Sequence, residues 1–390
     1  HKEYRRQRQM CIRDSSNYDE RFWIPLGENK DTKTIQVKTK PNPYEVPQFT
    51  VLLQESLSHN GELIQTEVST KEAKLSEKFS VELSEGQSYE LEKDVIVITS
   101  RDVEEKDQAS VAEDLMNKLQ SKSFEENLAD HTAEWQKRWD MSDVEISGDA
   151  AAQQGIRFNI AQLFMTYYGE DERLNVGPKG FTGEKYGGAT YWDTEAYIVP
   201  MYLGITNPSV TKALLQYRHN QLPGAYHNAK EQGLPGALFP MVTFNGIECH
   251  NEWEITFEEI HRNADIPHAI AMYTEYTGDD SYVKNEGMDV LVGTARFWAA
   301  RVHWSKWRNK YVMHGVTGPN EYENNVNNNW FTNTMARWLL KYTLERLPLA
   351  TKEAQERVHV TEEEKEKWQD IVDKIYLPED KELGIFLQQA

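Results

Sequence analysis

From about Thr34 to Asp102 apolar and polar residues alternate: Ile35 and Val37, Phe49 and Val51, Phe79, Val81 and Leu83, then Val95 and Val97. A period of two sends successive side chains to opposite faces of a strand. Asn60-Gly61 and Glu85-Gly86 lie between these runs. Asn-Gly is a strong hairpin signal because both residues tolerate positive φ. The pattern predicts an antiparallel β domain, a sandwich whose beginning is missing. Near Asp107 the period changes. Ala109, Val111, Leu115 and Leu119 space one helix and a second runs from about Phe124 to Trp139, the two reading as a linker. A short strand at Val144 and Ile146 is expected next. A clearer helix follows, with Ile156, Ile160, Leu163 and Tyr167 on one face.

Beyond that point helices alternate with loops and no further sheet is expected. Candidate helices cover about 193–204, 208–232, 260–277, 286–303 and 331–346. Pro208 sits near one helix start, while Gly233 and Gly278 follow helix ends, the usual asymmetry. Polar-aromatic clusters fill the loops before these helices. Such an arrangement suits a toroid of helical hairpins with a pocket at one end of the barrel, although no internal repeat marks it.

Composition narrows the classes. The chain has 390 residues, 39% hydrophobic and 11% aromatic, enough for two or three domains with real cores. A formal charge of −20 argues against a nucleic-acid partner, because such binders carry basic patches that displace counterions. No stretch approaches the roughly 18–20 apolar residues of a membrane helix, and no apolar h-region follows the charged start. Two cysteines, Cys11 and Cys249, are too few for a disulfide framework. A reducing cytoplasm is the expected setting.

The ends read differently from the rest. Met10-Cys11-Ile12-Arg13-Asp14-Ser15 resembles a translated sequencing adaptor, so residues 1–15 are set aside from fold reasoning. The chain stops at Ala390 just after an apolar segment, and truncation at both ends is expected.

Three loops could carry chemistry. In the first, Lys179 to Gly188 is glycine-rich and runs into Tyr191-Trp192-Asp193-Thr194-Glu195. A Trp beside an Asp offers a flat apolar face for a sugar ring and a carboxylate for its hydroxyls. Equally, Asp193 or Thr194 can simply cap the next helix. The second loop, Gly246 to Glu254, holds His250, Asn251 and Glu252. It suits a polyhydroxy ligand or is a solvated acidic loop, and it lacks the paired histidines of a helical zinc site. His261 and His268 nearby read as structural. In the third, Gly318-Pro319-Asn320 is a stiff turn that aims Glu321. A partly buried Glu there can stay protonated and act as a general acid. The plain alternative is a turn in which Asn324 or Asn325 starts the next helix.

Taken together and in this order, the three loops resemble glycoside hydrolase family 65, the disaccharide phosphorylases. The most specific piece runs from Gly318 to Asn333 and is similar to the maltose-cleaving branch. The resemblance covers nearly everything after the adaptor-like segment. It implies Glu321 as the catalytic general acid, Trp192 and Asp193 on the cleaved glucose, and His250, Asn251 and Glu252 over the leaving sugar. It implies inverting phosphorolysis of an α-glucosyl disaccharide, with maltose and phosphate giving β-glucose 1-phosphate and glucose. Inorganic phosphate is the co-substrate, no metal or organic cofactor is indicated, and a homodimer is expected. The family's phosphate-binding groups are expected beyond Ala390, which predicts an inactive fragment. Trehalose, kojibiose or nigerose phosphorylase, a trehalase-like hydrolase of the same fold and a non-catalytic carbohydrate-binding protein remain as alternatives. The implied fold class is multidomain β + α. It comprises a partial N-terminal β-sandwich (16–105), a helical linker (106–145) and a partial six-hairpin α/α-barrel catalytic domain (146–390).

Overall fold

A computed structural model describes residues 22–42, 47–178, 180, 186, 188–250 and 254–390; the adaptor-like segment lies outside them. The chain divides into two compact units, one running to Asp140 and the other from Met141 to Ala390.

In the first unit, strands β1 (Trp23–Asn29), β2 (Thr34–Thr39), β3 (Thr50–His59), β4 (Glu62–Leu63) and β7 (Glu92–Thr99) form one antiparallel sheet centred on β3. Strands β5 (Glu67–Lys71) and β6 (Lys74–Lys78) make a separate hairpin. The Asn60-Gly61 turn forms as expected, with φ of 51° and 79° and His59 paired to Glu62. Leu52 pairs with Ile98 in register, and both pack on Ala112 of the helix Gln108–Gln120. Gln108, at the start of that helix, donates to Thr50 Oγ1 at 2.9 Å and accepts from Gln36 Nε2 at 2.8 Å. The covered face is therefore that of Gln36, Leu52, Ile96 and Ile98. The other face carries Val95 and Val97, which are 41% and 58% exposed.

Two expected strands are absent. Phe79, Val81 and Leu83 lie past the end of β6, and the last two are exposed. Alternation with no face to bury does not make a strand. Val144 and Ile146 belong to an extended loop whose backbone bonds to side chains, Asp143 Oδ1 accepting from Val144 N at 3.0 Å. Gln153 Oε1 accepts from Ile146 N at 2.6 Å and its Nε2 donates to Val144 O at 2.8 Å.

The second unit is helical. Its longer helices are Ala150–Thr166, Pro208–Asn220, Leu222–Glu231, Arg262–Thr277, Glu286–Arg301, Trp330–Arg346 and Glu362–Lys374. The stretch expected as one helix over 208–232 breaks at Gln221. Pro223 has no N–H to give, and its ring opposes the carbonyl four residues back. Gly233 and Gly278 close helices with φ of 70° and 72°, where an L side chain would be strained. Helix Glu286–Arg301 is buried almost all round, with Leu291, Phe297 and Trp298 fully enclosed. Helices 208–220, 262–277, 330–346 and 362–374 pack around it. Contrary to the expectation of no further sheet, two short hairpins occur, His303–Ser305 with Lys310–Val312 and Glu379–Asp380 with Ile385–Phe386. Among the described residues no helix is long and apolar enough to cross a membrane.

Candidate active site

The first loop is held by main-chain bonds. Thr190 and Thr243 form an antiparallel bridge, N to O at 2.8 and 3.1 Å, which ties the first loop to the second. Trp192 and Asp193, both half-buried, follow at once. The next residues, Thr194–Ile198, form a π-helical turn before the helix Val199–Ile205. Single π turns are frequent at functional sites because they rotate side chains out of α register. Capping does not account for the pair. Asp193 makes no side-chain cap bond, and Thr194 Oγ1 donates sideways to Val176 O at 2.6 Å.

The second loop folds around a carboxylate. Glu248 accepts from Met241 N, Val242 N, Cys249 N and His250 N at 2.6–3.2 Å. Asn228 adds a bond to Gly246 O at 2.9 Å. Gly224 meets this loop so closely that a Cβ there would lie 2.4 Å from the Gly246 carbonyl carbon. His250 is fixed through its main chain, its carbonyl accepting from Thr256 Oγ1 at 2.8 Å. Asn251 and Glu252 lie outside the described residues.

The third loop closes on itself through a Val316–Val326 bridge. Within it, Glu323 N donates to Asn320 O at 3.1 Å, a tight turn that includes Glu321. Neither Asn324 nor Asn325 starts the following helix; Asn329 does, accepting from Thr332 N at 3.0 Å. Asn325 instead takes a left-handed conformation, φ 51°, inside the loop.

The loops meet electrostatically. Burial, then the charges of Glu259 and Asp193, push the Glu321 carboxyl above its ordinary range, and His261 opposes them. Asp193 is raised in the same direction, first by burial and then by Glu259, against a bond to its own backbone. The structure thus brings Glu321 within electrostatic reach of Asp193, next to Trp192 in the chain. His250 is fixed on the second loop.

Two residues missing from the sequence reading, and one read as merely structural, organise this ground. Glu259, fully buried, accepts from Trp192 Nε1 at 3.1 Å. His261, also fully buried, lies 3.4 Å from Glu259 Oε1 and 2.5 Å from Asp265 Oδ2. Its ring stands edge-on to Trp192 at 5.0 Å and to Phe331 at 5.2 Å. Burial alone would lower its pKa; the two carboxylates raise it to about 9. Glu258 Oε2 accepts from Thr317 Oγ1 at 2.9 Å and Asn325 N at 2.7 Å, on either side of Glu321. The available signal was two adjacent acids between apolar Phe257 and Ile260, since buried carboxylates need partners. His268 stacks at a tilt on Trp338, 4.8 Å away, and burial lowers its pKa.

Comparison with known proteins bears on this site. The model of the "Glycosyl hydrolase family 65 central catalytic domain" matches residues 157–390, and that of the "Glycosyl hydrolase family 65, N-terminal domain" matches residues 5–138. The maltose phosphorylase of Bacillus subtilis is 51% identical over 96% of this chain and 49% of its own length. The kojibiose phosphorylase of Halothermothrix orenii is 33% identical over 80% of this chain and 44% of its own. The α,α-trehalose phosphorylase of Thermoanaerobacter brockii is 36% identical over 79% and 41%. A solved human-microbiome protein named after kojibiose phosphorylase superposes with a TM-score of 0.81 at 26% identity, covering 94% of this chain and 49% of that one. The chain spans about half the length of the curated relatives it matches.

Proposed function

This chain belongs to glycosyl hydrolase family 65, and from that premise we propose that it serves the inverting phosphorolysis of maltose to β-glucose 1-phosphate and glucose. The observation that supports the reaction type is that burial and the charges of Glu259 and Asp193 push the Glu321 carboxyl above its ordinary range. The choice of maltose rests on the likeness to a maltose phosphorylase.

Breaking a glycosidic bond needs a proton for the leaving oxygen and a nucleophile for the anomeric carbon. Phosphate is already an anionic nucleophile, so one protein acid suffices. Glu321 gives its proton to the oxygen between the sugars while phosphate attacks the opposite face. That attack inverts the configuration at the anomeric carbon. Trp192 offers its face to the reacting glucose and Asp193 binds its hydroxyls. His250, Asn251 and Glu252 bind the leaving sugar. Burial and the neighbouring charges of Glu259 and Asp193 shift Glu321 toward the protonated form that this role requires.

In the same reading the sheet unit is part of a β-sandwich, with its limits at 16–105 and the linker over 106–145. The helical unit, 146–390, is part of a six-hairpin α/α toroid. The complete protein is a cytoplasmic homodimer using inorganic phosphate and no metal or organic cofactor. The test uses the protein expressed from its whole reading frame, incubated with maltose with and without phosphate. Equimolar glucose and β-glucose 1-phosphate, formed only with phosphate, supports the proposal. Two glucoses without phosphate moves the assignment to hydrolysis.

A further inference from the structure

The single helical turn Ile255–Glu258, with Glu259 after it, touches all three loops through side chains. Thr256 Oγ1 donates to His250 O at 2.8 Å in the second loop. Glu258 holds the third: its carboxylate takes Thr317 Oγ1 and Asn325 N, and its main-chain oxygen takes Thr317 N at 3.0 Å. Glu259 holds the Trp192 indole of the first. The turn is itself anchored. Arg262 Nη1 donates to Glu259 O at 2.6 Å, its Nε donates to Phe239 O at 2.9 Å, and its side chain is fully buried.

We propose that Glu258 and Glu259 are positioning residues that set the acid loop and the sugar platform in register, each acting through the group it holds. This rests on the assignment of Glu321 and Trp192 above. Two bonded anchors, at Thr317 and Asn325, fix both sides of the turn that presents Glu321. A four-residue excursion on either side is short enough that losing one anchor displaces the carboxyl. Reacting groups misplaced by about 1 Å lose on the order of 10²-fold in rate. Glu259 acts on the platform from below. An indole free to swing about its χ2 no longer presents one face to the ring. At Glu259, which is fully buried, the arrangement is obligatory, since a carboxylate with neither solvent nor partner is strongly disfavoured.

The two residues separate in their predicted kinetics. Glu258→Ala should lower kcat about 10²-fold with KM changed far less, because ground-state sugar contacts remain. Glu258→Gln keeps an oxygen acceptor for Thr317 and Asn325 and should recover most of the rate. Glu259→Gln keeps an acceptor for Trp192 but removes a negative charge facing Glu321. The groups facing Glu321 would then be Asp193 and His261, with Asp265 at 2.5 Å still holding the imidazole charged. Fewer negative charges make ionisation of Glu321 easier. The alkaline limb of kcat/KM should therefore move to lower pH.

The experiment measures kcat, KM and pH profiles of wild type, Glu258→Ala, Glu258→Gln and Glu259→Gln in the whole protein, with maltose and phosphate. Amide hydrogen exchange over residues 314–329 is followed in parallel. Faster exchange there in Glu258→Ala, reversed in Glu258→Gln, supports the positioning role independently of turnover. Wild-type rates and unchanged exchange in Glu258→Ala, or an unmoved alkaline limb in Glu259→Gln, overturn it. If wild type does not cleave maltose with phosphate, the activity reading fails, and the exchange result alone decides whether Glu258 holds the loop.

Discussion

Glu195 grips Arg218 with both carboxylate oxygens, at 2.7 Å to Nε and 2.9 Å to Nη2, and neither side chain sees solvent. The same Nη2 donates to Tyr191 O at 2.9 Å. Arg218 thus clamps the chain on both sides of Trp192 and Asp193, one residue before and two after. A planar guanidinium supplies this fork geometry where Lys would not.

Breaking this pair should be costly. Arg218→Ala leaves the Glu195 carboxylate buried and unpaired, and removing one partner of a buried pair typically destabilises by about 3–5 kcal/mol. Replacing both residues with apolar ones of similar volume should recover much of that loss. Urea unfolding of the single and double variants checks both statements. A single variant within experimental error of wild type would contradict the burial and bonding described.

Glu321→Gln should lower kcat by about 10²–10⁴-fold, the usual contribution of general acid catalysis. Stability should be unchanged, because the side chain lies in an exposed turn. The wild-type profile carries a second expectation. As the proposed general acid, Glu321 acts only while protonated, so kcat/KM should fall as pH rises through a pKa above the ordinary carboxylate value. Rates measured across pH, with melting temperatures of both proteins, decide it.

Gly224→Ala tests the close approach of helix Leu222–Glu231 to the second loop. The added methyl would meet Gly246 backbone atoms at 2.4–2.8 Å, and backbone cannot move aside cheaply. Overpacking of this kind costs about 1–3 kcal/mol. The shift passes directly into the loop carrying His250, so KM for the disaccharide should rise as the melting temperature falls. Gly278→Ala is the contrast. No atom lies within 4 Å of its Cβ position, although φ is 72°. It should show only the left-handed conformational penalty, about 1–2 kcal/mol, with KM unaffected.

How much of this was legible in the sequence depended on whether a signal was periodic or local. The Asn60-Gly61 hairpin and the helix ends at Gly233 and Gly278 were readable because turn residues carry their own backbone requirement. The alternation at Val95 and Val97 correctly marked a strand, but alternation alone cannot say which face a helix will cover. Helix Glu362–Lys374 went unread because its surface is so acidic. Only Trp368, Ile371 and Val372 are buried. Its Thr361–Glu364 capping box was the missed cue. In the site, Trp192, Asp193 and Glu321 stood out as chemistry-bearing types in glycine-rich loops. Glu258, Glu259 and His261 did not, because their significance lies in contacts to residues 59–69 positions away.

His261 gives the last test, through the pH dependence of stability. Folding raises its pKa from the ordinary 6.5 to about 9, Asp265 and Glu259 outweighing the opposing effect of burial. The folded state therefore holds its proton more tightly than the unfolded chain. That contribution is fully present below about pH 6.5 and is lost as pH rises toward 9. At about 1.4 kcal/mol per pKa unit the effect is on the order of a few kcal/mol. Melting temperature should decline across this window in wild type and decline less in His261→Gln, which has no proton to lose. The comparison between the two proteins cancels groups that titrate in both. An equal decline in each would mean that folding leaves the His261 pKa where it is in the unfolded chain, against the upward shift that Asp265 and Glu259 impose.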